Sequence, residues 1–194
     1  MSMSDAACVE TLLRASPRLM TVLQTARDLA LNDWLIFSGA IYQTVWNVRS
    51  GRDPDYGLKD YDLGYFDPDT GWDAEDAVIA RVRQAFASPL DEQVEVRNQA
   101  RVHLWFEGKF GEPYAPLVGT AEALTRFVSP TFAVGARLEA DGSMTLAAPF
   151  GFEDVLAMHI RPNPLWPEGA GFARAAASAL ARWPEVTISR RSGT

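Results

Sequence analysis

The chain is poor in cysteine, has no long apolar run and carries no excess of basic charge. Cys8 is its single cysteine in 194 residues. It can form no disulfide within the chain and has no thiol partner for a zinc site. Apolar runs stay under ten residues, too short to span a bilayer as a helix. Met1 to Glu10 shows no basic region leading into an apolar stretch, so no secretory signal is expected there. These absences together predict a cytoplasmic location. The formal net charge is −7. A protein that rides on a nucleic-acid backbone usually shows a basic face. The charge therefore argues against nonspecific nucleic-acid binding and leaves room only for a local patch, such as Arg97 with Arg101 or Arg190 with Arg191. The second pair also reads as a frayed, solvated tail. Internal repeats and low-complexity runs are missing too.

What is present is an ordinary globular composition, 47% hydrophobic and 22% charged, in a length that suits one domain with a real core. Ser16-Pro17 is a helix start, with a capping side chain followed by proline in the first turn. Leu19, Val22, Leu23, Ala26, Leu29 and Ala30 then fall on one helical face, and Asn32-Asp33 ends that helix. Trp34 to Phe37 reads as a buried strand. Helical spacing returns at Ile41, Thr44, Val45 and Val48, and Ser50 to Gly57 is a polar loop. Asp60 to Phe66 reads as a second strand, and a helix over about 73–86 is broken at Pro89. Val94 to Val96 and Val102 to Phe106 look extended. Thr120 caps a short helix. Asp141-Gly142 between alternating apolar segments predicts a hairpin. Helices follow around 152–159 and 171–182. The order predicts an α+β (mixed α/β) fold. It would be one domain over 1–194, with a mixed sheet and helices packed on one side in a core of about 17–110. A C-terminal extension of about 111–194 would carry the hairpin and further helices.

Two short stretches carry the chemistry. Ser38-Gly39-Ala40 is a small-residue turn between an apolar strand and a helix, where free backbone N–H groups can meet an anion. Lys59-Asp60-Tyr61-Asp62-Leu63 puts two carboxylates at i and i+2. On a strand these share a face, and anions held that close repel unless a cation lies between them. Glu95, between Val94 and Val96, is a third carboxylate, odd on a central strand. Its alternative role is a salt bridge to Arg97. Arg97 and Arg101 follow Glu95 at even spacing, so a regular strand would place all three on one face, where an arginine could clamp a triphosphate. Asn98 and Gln99 could read a base edge or satisfy backbone groups. His103 reads as a strand residue, either a phosphate contact or a packed histidine. His159 reads as packed or capping. Trp34, Trp46 and Trp105 read as core, as do Tyr42 and Trp46 together, though that pair could stack a base.

The Gly39-Ala40 turn followed by Lys59-Asp60-Tyr61-Asp62-Leu63 resembles the DNA polymerase β superfamily of nucleotidyltransferases, and the Lys-Asp-x-Asp form looks most like its tRNA CCA-adding branch. A closer resemblance, from about Trp34 to Pro164, is to a bacterial family of uncharacterised nucleotidyltransferase-like proteins. It is carried by Ser38 to Asn47, Lys59 to Asp67, Arg97 to Trp105 and Arg161-Pro162-Asn163. The resemblance implies a nucleotidyltransferase fold and, by position, a catalytic and metal-binding triad of Asp60, Asp62 and Glu95. Ala40 departs from the superfamily pattern, which has Gly or Ser there. A methyl group cannot bond a phosphate, so only backbone amides could.

The expectation is therefore a metal-dependent nucleotidyltransferase that moves a nucleoside monophosphate from a nucleoside triphosphate to an acceptor hydroxyl. Two Mg²⁺ ions would be held by Asp60, Asp62 and Glu95. Phosphates would be held by Ser38, Gly39, Ala40, Arg97 and Arg101. The acceptor would be a small molecule or a protein rather than a long nucleic acid, with no membrane partner. The rival is a non-catalytic nucleotide-binding or protein-interaction module on the same fold, for which Ala40 is the motive. In a purely structural protein the three acids would be a salt-bridge cluster.

Overall fold

The computed structural model describes residues 4–166 and 169–190. Arg191 of the basic tail pair lies outside them, and Arg190 is exposed. The N-terminal helix α1 (Asp5–Arg14) leads into α2 (Pro17–Asp28), where the Leu19 N–H donates to the Ser16 hydroxyl at 3.1 Å. β1 (Leu35–Phe37), α3 (Gly39–Arg49), β2 (Tyr61–Tyr65), α4 (Trp72–Ala85), the single turn α5 (Leu90–Gln93) and β3 (Val94–Asn98) follow in order. A helix α6 (Val102–Phe110) comes next, then 3-10 segments at Thr120–Arg126 and Pro130–Phe132. The hairpin β4 (Gly135–Leu138) and β5 (Met144–Ala147) precedes α7 (Glu153–Leu156), β6 (His159–Ile160), α8 (Ala170–Arg182) and β7 (Thr187–Ile188).

The main sheet has five strands in the order β3-β2-β1-β4-β5. β2 and β3 run parallel, and the other pairs are antiparallel. Strand alternation sorts its two faces. Ile36, Tyr61, Leu63, Tyr65, Val94 and Val96 belong to the large core that α2, α3 and α4 cover. Leu35 and Phe37 point the other way, into a small cluster with Leu117, Ala123 and Leu124. This second face is only partly covered, and the candidate site lies on it.

Three expectations change. Val102 to Phe106 is helical, not extended. The Asn98 side-chain oxygen accepts from the Ala100 N–H and the Asp67 N–H at 3.0 Å each. That ends β3 and starts a 3-10 turn (Gln99–Arg101), from which α6 grows until Gly111 closes it at φ 73°. The helix around 152–159 shortens to α7, and His159 is on β6, its ring held by Thr187 and Ser189. Residues beyond 110 complete the core rather than extend it. β4 bonds directly to β1, and the Trp183 indole N–H donates to Asn47 Oδ1 at 2.8 Å inside the α3 core.

Candidate active site on the open face of the sheet

Asp62 and Glu95 come together because their strands are parallel and in register. Phe37 is opposite Asp62 on β1, and Asp62 is opposite Glu95 on β3. The next outward pair is Gly64 with Arg97. One face thus carries a carboxylate pair and, one step along, a guanidinium over a glycine. β3 is an edge strand, not a central one, which is how an acid such as Glu95 is accommodated without a buried partner. Asp60 precedes Tyr61, the first ladder residue, so strand alternation does not govern it. It lines a separate hollow of about 240 Å³ with Gln43, Lys59 and Arg182.

The electrostatics match that placement. Among the described residues, no ion pair or side-chain hydrogen bond reaches the carboxylates of Asp60, Asp62 or Glu95; the expected alternative, a Glu95–Arg97 bridge, is not formed. Arg97 instead donates to the Val96 carbonyl at 2.8 Å. Asp62 opens to the cleft on one side, yet protein atoms crowd its carboxyl. That crowding, with the charges of Asp60 and Glu95, pushes its pKa up to about 6, and Arg97 opposes the rise. The arrangement offers hard oxygen donors that lack a protein cation, which suits Mg²⁺ in kind. Among the described residues no group of three His, Cys, Asp or Glu stands as a ready-made metal site. Asp60, at the strand start, acts on Asp62 by charge ahead of Glu95, so the three carboxylates are neighbours without forming the converged triad suggested by the sequence. Mutual repulsion favours such spreading.

The small-residue turn sits directly beside this pair, because the β1–β2 register ends with Phe37 opposite Asp62. Ser38 adopts φ 44°, ψ −99°, a backbone region that favours glycine. Its N–H donates to the Val134 carbonyl at 2.7 Å, and its own carbonyl accepts from Ile41 and Tyr42 at 2.9 Å each. The Gly39 and Ala40 N–H groups lie ahead of those first helical bonds. The Ala40 side chain is buried in the helix-side core, so only its backbone can serve an anion.

Arg101 does not join the cleft. β3 ends at Asn98, so the period-two reading fails beyond it. Arg101 is buried, pairs with the buried Glu75 at 3.4 Å, donates to the Gly71 carbonyl at 2.8 Å and lies 4.1 Å from the Trp72 ring centre. Glu75 also accepts from the Asn98 N–H at 2.8 Å. Asn98 is consumed by the turn it builds, whereas Gln99 lines the cleft. His103 is on α6, with a buried Nδ1 that finds no partner among the described residues. Trp34, Trp46 and Tyr42 are core.

Trp105 is not core. With Phe106 and Phe110 it forms one wall of a cleft of about 510 Å³ whose floor includes Phe37, Asp62 and Gly64. Reading 102–106 as a strand hid this wall. The signal was present, since Val102, Trp105, Phe106 and Phe110 stand at i, i+3, i+4 and i+8. Arg182, whose guanidinium donates to Gln43 Oε1 at 3.1 Å, was also missed. It comes from α8, far away in sequence.

A comparison with curated proteins finds no match. One solved structure, determined by NMR and described as revealing a CCA-adding enzyme head domain, is similar with a TM-score of 0.75. The likeness covers 95% of this chain and 95% of that chain at 25% sequence identity. A family model described as nucleotidyltransferase matches residues 24–188. That span takes in the turn, the carboxylates and the aromatic wall, and it covers well over half of the sequence: the chain belongs to the nucleotidyltransferase family.

Proposed function

We propose that the protein is a metal-dependent nucleotidyltransferase that moves a nucleoside monophosphate from a nucleoside triphosphate to the hydroxyl of an acceptor. The observation that carries this reading is the register pairing of Asp62 with Glu95, with no ion pair to a cation among the described residues and beside the Ser38 turn. Asp60, Asp62 and Glu95 would hold Mg²⁺, which would supply positive charge to the phosphates and acidify the acceptor hydroxyl. The Ser38, Gly39 and Ala40 backbone would orient the phosphate chain, and Arg97 would neutralise part of its remaining charge. The acceptor oxygen bonds to the α-phosphorus, the bond to pyrophosphate breaks, and a Glu95 carboxylate oxygen takes the hydroxyl proton. The net charge of −7 favours a small-molecule or protein acceptor over a long nucleic acid.

Calorimetric titration with nucleoside triphosphates, with and without Mg²⁺, followed by a pyrophosphate-release assay, tests the reading. Binding that needs Mg²⁺ and is lost in Asp62→Asn is expected. Arg97→Ala should weaken triphosphate binding by about 1.5–3 kcal/mol and an uncharged nucleoside far less. A nucleotide-binding module without transfer is the second reading, favoured by the absence of a ready-made three-carboxylate metal site among the described residues. It predicts binding with no pyrophosphate release across acceptors.

A further inference from the structure

We infer that the acceptor is a flat, aromatic small molecule bearing a negatively charged group, seated in the cleft under α6; this rests on the nucleotidyl-transfer reading above. The cleft wall is a stack of rings. Phe106 lies 4.6 Å from Phe110 and 4.5 Å from Tyr114 between ring centres. At the floor Phe37 packs against Phe127 at 6.1 Å between ring centres. Phe110 is 53% exposed. A row of rings left open over an acidic pair is not explained by core packing, and an apolar cleft with a few convergent polar groups is how small-molecule sites are built.

The polar groups set the charge of the occupant. Arg126 lies 5.2 Å from the Tyr114 ring centre and 4.9 Å from that of Trp166, with Glu122 at 3.6 Å. A guanidinium held by two rings and a carboxylate is pre-positioned for an anion. Asp62 and Glu95 line the same cleft. Lining groups also separate acceptor from leaving group. Asp62 faces this aromatic cleft, whereas Asp60 faces the smaller hollow with Lys59 and Arg182, two cations suited to pyrophosphate. In-line displacement needs the attacking and leaving oxygens on opposite sides of the phosphorus. With the leaving group in the cationic hollow, attack comes from the aromatic side, and Arg97, which lines that side, would neutralise the α-phosphate between the two. A volume of about 510 Å³ suits a small molecule.

The probe is 3-hydroxy-2-naphthoate, titrated into the full chain by calorimetry with and without ATP and Mg²⁺. One-to-one binding is expected in both conditions. Trp105→Ala and Phe110→Ala should each weaken it, the former by about tenfold. Arg126→Gln should weaken it by about fivefold while changing 2-naphthol binding little. ATP affinity should stay within about twofold in Trp105→Ala. Competition between naphthoate and ATP, or equal losses of both in Trp105→Ala, would give the cleft to the nucleotide's own ring and overturn the inference with nucleotidyl transfer intact. Absence of naphthoate binding would overturn it as well. Failure of the transferase reading shows separately, as ATP binding that does not depend on Mg²⁺.

Discussion

In an unfolded chain Asp62 titrates near 3.8, and in the folded protein near 6, because crowding and the charges of Asp60 and Glu95 disfavour its ionised form. Between those values the folded state binds more protons than the unfolded one, so stability falls as pH rises through the window and is not regained above it. Asp62→Asn removes that dependence. The metal-free variant should melt above wild type at pH 8, and the gap should close towards pH 4. A lower melting temperature for the variant at pH 8 would mean that the carboxylate is held in a stabilising network. Arg101 should behave in the opposite way. It is buried with Glu75, and removing one partner strands the other charge. Arg101→Ala should cost about 3–5 kcal/mol in urea unfolding, and any loss of nucleotide binding should follow the loss of folded protein.

At the scale of elements, the sequence reveals those with a local signal. Ser16-Pro17, the apolar run to Phe37, the small turn before α3 and the Asp-Gly hairpin each announce themselves in a few residues. So do Asp62 and Glu95, since the apolar residues around them mark strands. Arg101 and the separate hollow that Asp60 lines are not legible in the same way. Each depends on where a strand ladder begins or ends, and β3 is ended by an Asn98 side chain that bonds across to the loop after β2. That contact joins residues 31 positions apart. The cleft floor has a similar dependence. A Cβ on Gly64 would lie 2.3 Å from Phe37 Cε2, so β2 needs a glycine where β1 presents a ring. Gly64→Ala should destabilise the protein by about 1–3 kcal/mol. The companion Phe37→Leu in the Gly64→Ala background should recover part of that loss in the same denaturation assay.

Across the whole molecule, one sheet joins both halves of the chain. β1 lies between β2 and β4, and α8 sets Trp183 5.3 Å from Trp46 between ring centres. A fragment ending at residue 110 lacks β4, β5 and α8, so it should show no cooperative melt by circular dichroism. The full chain should unfold in urea as one transition, with tryptophan fluorescence and far-ultraviolet signals coinciding. The Ser38–Val134 bond ties this architecture to the order in which the chain is made. β2 and β3 can pair early in synthesis, but Ile36 must wait for Ala136. At about 5–20 residues per second, the roughly 100 intervening residues take about 5–20 s to emerge. Through that interval β1 presents an open edge, which other strands can use as a template. The turn beside the carboxylates is anchored only when β4 arrives, so on the ribosome the phosphate-facing corner of the site is among its last parts to take shape.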